Sequence, residues 1–243
     1  MSNFAGIILN RQIMKKLVVL SGAGMSAESG ISTFRDTGGL WEQYRIEEVA
    51  TPEAWEENPE LVLEFYNQRR EQLVQAKPNA GHLALAELEK KYDVQIITQN
   101  VDNLHERAGS THVLHLHGEL MKVRSTGFGQ EVYELTPDNY RTHLGDKCPK
   151  GFHLRPHIVW FGESVPNYPL AVEIAQQADI MLVIGTSLQV YPAAGLVNYS
   201  PEGIPVYLID PNDIPNLPSY ITVIRKGAGE GMVELMDMLA PSP

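Results

Sequence analysis

Cysteine is almost absent: one residue, Cys148, in a chain of 243. No intrachain disulfide can form, and the lone thiol fits a reducing compartment. Positive charge is also scarce, with 19 Lys and Arg against 30 Asp and Glu and a net charge of −11. No surplus exists to neutralise phosphates, which argues against a nucleic-acid partner and leaves a basic peptide open. Long apolar runs are missing too. The opening MSNFAGIILNRQIMKKLVVL is broken by Asn10, Arg11, Lys15 and Lys16, short of the ~18 residues a membrane span needs. Its basic residues fall between the apolar runs, and no cleavage pattern follows. The expectation is a cytoplasmic protein with neither a signal peptide nor a membrane partner. Repeats and low-complexity tracts are absent as well.

What is present is a chain long and apolar enough for a full core, 43% hydrophobic. Seven short apolar runs recur at 17–20, 94–98, 113–116, 157–160, 180–184, 206–209 and 221–224. Most are near-continuous rather than alternating, as strands covered on both faces are. Helical spacing lies between several of them, at 78–92, 169–179 and 229–240. This alternation predicts an α/β fold with a mostly parallel sheet. Two stretches break the rhythm. Residues 36–77 hold no strand but a helical segment at 59–75, and residues 119–155 are polar and poor in periodicity. Both read as insertions forming a smaller lobe, 36–77 with 119–155, beside a large lobe of 1–35, 78–118 and 156–243.

The first apolar run ends in GAGMSAESG, with Gly22, Gly24 and Gly30. The Lys-Ser/Thr pair that closes a P-loop is missing. The turn suits a dinucleotide, because glycines let backbone N–H groups approach a pyrophosphate; a plain tight strand-to-helix turn is the other reading. The acidic residue that usually follows ~20 residues on is absent. Asp210, after a late strand in VYLIDPN, is the better candidate for a ribose hydroxyl. Arg35 and Trp41 lie just past the turn, where an Arg meets either a phosphate or a surface carboxylate.

Four further strand ends carry polar residues. IITQNVDNLHERAG ends in Gln99, Asn100 and Asp102, either a reactive strand end or an Asx turn with a helix cap. VLHLHGEL brings His115, His117 and Gly118; the strand-end His117 is either a structural histidine or, beside a second polar strand end, an imidazole that suits a general base at neutral pH. RPHIVWFGE ends in Trp160, Phe161, Gly162 and Glu163, either backbone that can pair with an extended peptide or a buried aromatic edge. VIGTSLQVYPAAGL adds Gly185, Thr186 and Ser187.

Taken in order, GAGMSAESGISTFR, TQNVDNLH, HLHGEL, RPHIVWFGE and GTSLQVYPAAGL resemble the sirtuins, the NAD-dependent protein lysine deacylases. The resemblance implies a Rossmann-like doubly wound large lobe and a smaller one. NAD, consumed as co-substrate, and an acylated-lysine protein or peptide would meet between them. It implies His117 as base on the ribose, Asn100 orienting ribose and water, and Asp102 with the Val101 backbone on the nicotinamide. Arg35 would steady the phosphates. Gly22, Ala23, Gly24, Ser26, Ala27, Glu28, Gly30, Ile31, Phe34, Trp41 and Gln99 would line the cofactor. Gly185, Thr186, Ser187, Asp210 and Ala228 would surround the adenosine. Val159, Phe161, Gly162 and Glu163 would form the peptide track. Many sirtuins carry a zinc lobe with two cysteine pairs; here 119–155 holds only Cys148, with His143 and His153 at irregular spacing. Four ligands are needed, so no zinc is expected. A monomer is plausible.

EFYNQRREQL places Tyr66 and Arg69 three apart, on one helix face. With Arg70 and Glu71 adjacent, a solvated charged face is one reading. The other comes from the resemblance. In the sirtuin class that removes acidic acyl groups, a Tyr and an Arg at this spacing grip the distal carboxylate, a sound match for a planar guanidinium. Ala50 would widen the acyl pocket. The expected activity is removal of succinyl, malonyl and acetyl groups. Alternatives using the same cradle are protein mono-ADP-ribosyl transfer, a non-catalytic NAD or ADP-ribose sensor, and, more distantly, a hydride-transfer dehydrogenase.

Overall fold

Six of the seven apolar runs meet in one parallel sheet. The structure is a computed structural model that describes residues 14–31, 43–188, 190–215 and 217–240. Its strands are β1 (Lys16–Ser21), β2 (Asp93–Thr98), β3 (Val113–His115), β4 (Gly118–Ser125), β5 (Val132–Glu134), β6 (Leu154–Ile158), β7 (Ile180–Ile184), β8 (Val206–Ile209) and β9 (Ile221–Ile224). The described helices are α1 (Gly24–Ala27), α2 (Ile46–Val49), α3 (Pro52–Glu57), α4 (Pro59–Gln75), α5 (Ala80–Leu88), α6 (Leu104–Ala108), α7 (Tyr168–Ala175) and α8 (Ala228–Leu239), with a 3-10 helix at Ala193–Tyr199. None is long and apolar enough to cross a membrane.

The main sheet runs β3-β2-β1-β7-β8-β9, with every neighbouring pair parallel. The chain winds outward from β1 to β3, then crosses to the other side of β1 and starts again at β7. The strand order therefore reverses between β1 and β7. The crevice beyond their carboxyl ends is where such sheets take ligands.

The strands are apolar on both faces because both faces are covered. Leu17, Val19, Ile96 and Leu182 pack with Leu85 and Leu88 of α5 and with Met232 and Leu235 of α8. Val18, Leu20, Ile97 and Val183 pack on the opposite side with Ala171 of α7 and with Leu196 and Val197 of the 3-10 helix. Each fully buried Leu or Val contributes about 1.5–3 kcal/mol, and a one-residue slip would exchange the two faces. Register is thus fixed by the two layers together. The helix starts are equally local: Asn58 precedes Pro59 and accepts from the Leu61 N–H at 3.1 Å, a cap followed by proline in the first turn.

The seventh run departs from the sequence expectation. Residues 157–158 close β6, which pairs antiparallel with β4, and β4 pairs with β5 in a separate three-stranded sheet. The stretch 119–155 thus contains strands that its pattern hides. The β4–β6 register shifts between Gly118 and Val123, so the buried positions Leu120, Val123 and Ser125 do not simply alternate. β6 carries Pro156, which has no N–H to give a ladder. Val62, Phe65 and Tyr66 of α4 join Leu120, Ile158 and Trp160 in a third apolar cluster, which ties this small sheet to the helices of residues 46–75.

Candidate functional site

The ends of β1 and β7 interlock through backbone. The Gly22 N–H donates to the Ile184 carbonyl at 3.0 Å, and the Gly24 N–H to the Gly185 carbonyl at 2.8 Å. A Cβ on Gly22 would lie 2.6 Å from the Thr186 Cβ, and one on Gly24 would lie 2.8 Å from the Gly185 Cα. Gly185 itself has φ +63°, a region open to glycine and strained for other residues. The glycines are there because two turns must touch, which brings both sets of backbone groups to one crevice. Ala23 and Ala27 flank and close the short α1. Gly30 turns with φ +81° and Ile31 follows it against the third apolar cluster.

The end of β2 folds back over this turn. The Asn100 side-chain amide donates to the Gly22 carbonyl at 3.0 Å and to Ser26 Oγ at 3.2 Å. Ser26 Oγ in turn donates to Asp102 Oδ2 at 2.9 Å, and the Leu104 N–H reaches Asp102 Oδ1 at 3.1 Å. Asn100, Asp102 and Ser26 are all buried. Burial raises the Asp102 pKa, against the pull of its two hydrogen bonds. Gln99 reaches across to Thr186 Oγ1 at 3.2 Å, linking the β2 and β7 ends. The Val101 carbonyl accepts from the Leu120 N–H at 2.7 Å, which joins this loop to the small sheet.

His117 stands at the boundary of the two sheets. Its Nδ1 lies 3.1 Å from the Gln99 carbonyl, and its own carbonyl accepts from the Val159 N–H at 2.9 Å. A carbonyl only accepts, so Nδ1 carries the hydrogen and Nε2 keeps its lone pair. Burial lowers the His117 pKa, opposed by the Gln99 hydrogen bond. The ring is therefore neutral at pH 7 and able to take a proton at Nε2. His115, the other histidine of the motif, has a different surrounding. Its Nδ1 meets the Asn100 carbonyl at 2.9 Å and its Nε2 meets Glu106 at 2.7 Å.

Tyr66 and Arg69 lie on α4, facing this loop. Tyr66 is buried and accepts from Trp160 Nε1 at 3.0 Å. The Arg69 guanidinium sits over the Phe65 and Tyr66 rings, 5.7 and 5.6 Å from their centroids. Burial lowers its pKa, while the Tyr66 oxygen and the Asp102 carboxylate support its charge. Arg69 is thus within the field of a residue from the β2 end. Ala50 is buried nearby in the same cluster, and its carbonyl accepts from the Phe161 N–H at 3.0 Å. Phe161 is exposed and Gly162 has φ +91°. The Glu163 carboxylate turns inward, taking Arg124 at 3.1 Å, Arg155 at 2.9 Å and the Trp160 N–H at 2.8 Å.

Other expected positions lie farther along the crevice. Asp210, at the end of β8, is buried and accepts from the Asn212 N–H at 2.9 Å. Ala228 opens α8. The Glu28 carboxylate accepts from the Gly229 N–H at 3.1 Å, so it pins α1 to the start of α8. Thr186 Oγ1 also accepts from the Leu188 N–H at 3.3 Å, beside Ser187. Phe34, Arg35 and Trp41 lie outside the described residues. Cys148 is buried with its thiol 3.5 Å from Ser125 Oγ. Among the described residues no three His, Cys, Asp or Glu side chains converge as a metal site requires.

Sequence reasoning missed the Arg155–Trp160–Tyr66 contacts and a buried histidine pair, His82 and His105, beneath the site. The Tyr66–Trp160 and His82–His105 pairs join residues remote in sequence, and no local spacing signals them.

A doubly wound sheet with glycine turns and buried amide, carboxyl and hydroxyl groups at its switch point defines a nucleotide-binding α/β protein of Rossmann type. The Asn100 amide, the Ser26 hydroxyl and the Asp102 carboxyl offer both donors and acceptors, which suits the hydroxyls of a nucleotide's ribose. The Sir2 family matches residues 22–192, and the chain belongs to that family. It is 58% identical over 234 residues to an NAD-dependent protein deacylase of Bacteroides thetaiotaomicron, covering 95% of this chain and 100% of the relative. It is 54% identical over 227 residues to one of Helicobacter pylori strain J99, covering 93% and 96%. A solved Sir2 homologue–NAD complex superposes with TM-score 0.83 at 43% identity over 93% of this chain and 90% of that one. A Sir2 mutant with a deacetylated peptide and 3′-O-acetyl ADP-ribose gives 0.77 at 30% identity, over 93% and 94%.

Proposed function

We propose that this protein removes succinyl and malonyl groups, as well as acetyl, from lysine side chains of acylated proteins or peptides, consuming NAD. The coarser activity rests on kinship. More than half of its residues are shared, nearly end to end, with an NAD-dependent protein deacylase, and it is an NAD-dependent protein deacylase. The finer reading rests on one observation: a guanidinium, Arg69, stands beside a buried phenol, Tyr66, and within the field of Asp102.

NAD supplies the ribose that receives the acyl group. In this reading, His117 takes a proton from that ribose at Nε2, with Nδ1 anchored on Gln99. Asn100, held between Gly22 and Ser26, orients the sugar. Asp102, kept in place by Ser26 and Leu104, binds the carboxamide beside the Val101 backbone. Gly185, Thr186, Ser187, Asp210 and Ala228 face the adenosine end. Val159, Phe161 and Gly162 offer backbone to the peptide. Arg35, Phe34 and Trp41 belong to the same reading on sequence grounds. The third apolar cluster is the core of the smaller lobe, which holds together by packing without zinc.

Arg69 gives the acyl terminus its counter-charge, and Tyr66 adds one hydrogen bond. A hydrogen bond to a charged group is worth about 1.5–3 kcal/mol, a preference of roughly 10- to 100-fold over a neutral acyl end. The test is nicotinamide release with succinyl-lysine and acetyl-lysine peptides, for wild type and Arg69→Met. The succinyl-to-acetyl ratio of kcat/KM is expected to fall by that factor. An unchanged ratio rejects the acidic-acyl reading. O-acyl-ADP-ribose among the products supports deacylation, whereas ADP-ribosylated protein in its place points to ribosyl transfer.

A further inference from the structure

We propose that Trp160 is a positioning residue for acyl selection, its indole N–H fixing the Tyr66 hydroxyl as a donor to the acyl terminus. This rests on the reading of Tyr66 and Arg69 above and deepens it. A phenol has one hydrogen to give and lone pairs to accept with, and an indole can only donate. Trp160 Nε1 lies 3.0 Å from the Tyr66 oxygen, and both side chains are buried. The Arg69 guanidinium lies over the Tyr66 ring, 5.6 Å from its centroid. The indole N–H occupies the accepting side of the oxygen. The hydroxyl hydrogen must then point elsewhere, toward an acceptor. A carboxylate terminus only accepts, so it satisfies the hydroxyl. A terminus that offers hydrogens finds the oxygen already taken.

Trp160 is itself held from three sides. The Arg155 guanidinium lies 3.4 Å from its ring centroid. Glu163 grips that guanidinium at 2.9 and 3.1 Å and accepts the Trp160 backbone N–H at 2.8 Å. The Trp55 ring packs 5.9 Å away. Gly162, at φ +91°, lets the chain turn back so that Glu163 reaches the residue three before it. The loop that follows β6 thereby sets the orientation of a hydroxyl on α4.

The experiment is steady-state kinetics with succinyl-lysine and acetyl-lysine peptides on wild type, Trp160→Phe, Tyr66→Phe and the double variant. Thermal melting serves as the check on folding. Trp160→Phe keeps a ring and removes the N–H. It is expected to lower the succinyl-to-acetyl ratio of kcat/KM about tenfold, mainly through a higher KM for the succinyl peptide. On the Tyr66→Phe background the same change is expected to move the ratio by less than about twofold, because the two residues act as one unit. Equal losses on both peptides, no change, or a full effect without the hydroxyl each overturn the assignment. If Trp160→Phe does not melt cooperatively, Arg155→Lys replaces it. That change removes the planar group from the indole face and is expected to lower the ratio about threefold; an unchanged ratio counts against the proposal. Should Arg69→Met and Tyr66→Phe also leave the ratio untouched, the acidic-acyl reading fails first. Should they shift it while Trp160→Phe does not, only the role of Trp160 falls.

Discussion

His117 directs its Nδ1 to the backbone carbonyl of Gln99, 3.1 Å away. The contact settles which nitrogen carries the hydrogen and leaves Nε2 its lone pair, as the proposed role of base requires. Burial also pushes the His117 pKa below the ordinary histidine value. A base must be neutral to act, and a lowered pKa keeps it neutral at lower pH. The acid limb of the kcat/KM profile is therefore expected to bend below pH ~6.5, the usual imidazole value. His117→Ala is expected to cost roughly 100- to 10,000-fold in deacylation and to abolish that limb. A limb that persists in the variant assigns the titration to another group.

The glycine turn separates close approach from simple chain reversal. Gly185 has φ +63°, and a Cβ there would run into the Met25 nitrogen and the Gly24 backbone. Gly30 has φ +81°, and among the described residues nothing lies within 4 Å of such a Cβ. Gly185→Ala is expected to cost about 2–4 kcal/mol from strain and displacement together, with NAD affinity down at least about tenfold. Gly30→Ala is expected to cost only about 1 kcal/mol, from φ alone. Urea unfolding and calorimetric titration with NAD measure both. Equal costs at the two sites would place the penalty in the dihedral rather than the contact.

How much of this was legible depended on how local each signal was. The main sheet was readable because its strands are apolar on both faces, as at Val18 and Val19, which leaves runs no helix pattern explains. The limits of α4 were readable from Asn58-Pro59 and the spacing that follows. The polar strand end was readable because Gln99, Asn100 and Asp102 come directly after a buried strand. The small sheet was not, since a register shift in β4 and Pro156 in β6 blur the alternation. Tyr66 and Trp160 stand 94 positions apart, and only the fold brings them together. In QRRE the charges alone do not distinguish the two arginines, and only the resemblance singled out Arg69; in the structure Arg70 is 0% exposed while Arg69 is half-buried.

His82 and His105 make the protein sensitive to acid. Their rings meet edge-on, with centroids 4.9 Å apart, and both are fully buried. His82 Nδ1 accepts from the Asn79 N–H at 3.3 Å, and His105 Nε2 pairs with Ser21 Oγ at 3.0 Å. Burial lowers the His82 pKa to about 4 and the His105 pKa to about 3, where neighbouring histidine charge adds to the effect. Unfolded, both titrate near 6.5. Below that pH the unfolded chain binds protons that the native state refuses, so stability falls as pH drops toward 4. Each residue contributes a slope of about 1.4 kcal/mol per pH unit. His115 acts oppositely: burial lowers its pKa, but the Glu106 bond and charge outweigh this and raise it. His117 and His157, also lowered by burial, act in the same direction as His82 and His105, which leaves a net loss on acidification. The midpoint of thermal unfolding is expected to fall from pH 6.5 to pH 4.5, and His82→Gln to flatten that dependence. A midpoint constant across this window rejects the linkage.

Arg70 and Arg69 are expected to part company under mutation. Arg70 donates from Nε to the Leu120 carbonyl at 2.8 Å, and from Nη1 to Asn67 Oδ1 at 3.1 Å and Thr142 Oγ1 at 3.0 Å. Asn67 and Thr142 also bond each other, through the Asn67 amide at 2.8 Å and the Thr142 N–H at 2.9 Å. They therefore keep partners when Arg70 is lost, whereas the Leu120 carbonyl loses the side-chain bond that ties β4 to α4. Burial brings the Arg70 pKa down to about 10, still well above neutral pH, so it is a buried cation doing structural bonding. Arg70→Met fills the volume but leaves that carbonyl and part of the cluster short of donors, at about 2–3 kcal/mol. Arg69→Met is expected to cost less than about 1 kcal/mol while changing the acyl ratio. Urea unfolding beside the two-peptide assay reads both. If Arg70→Met shifts the acyl ratio as far as Arg69→Met does, the division of labour between the adjacent arginines is wrong.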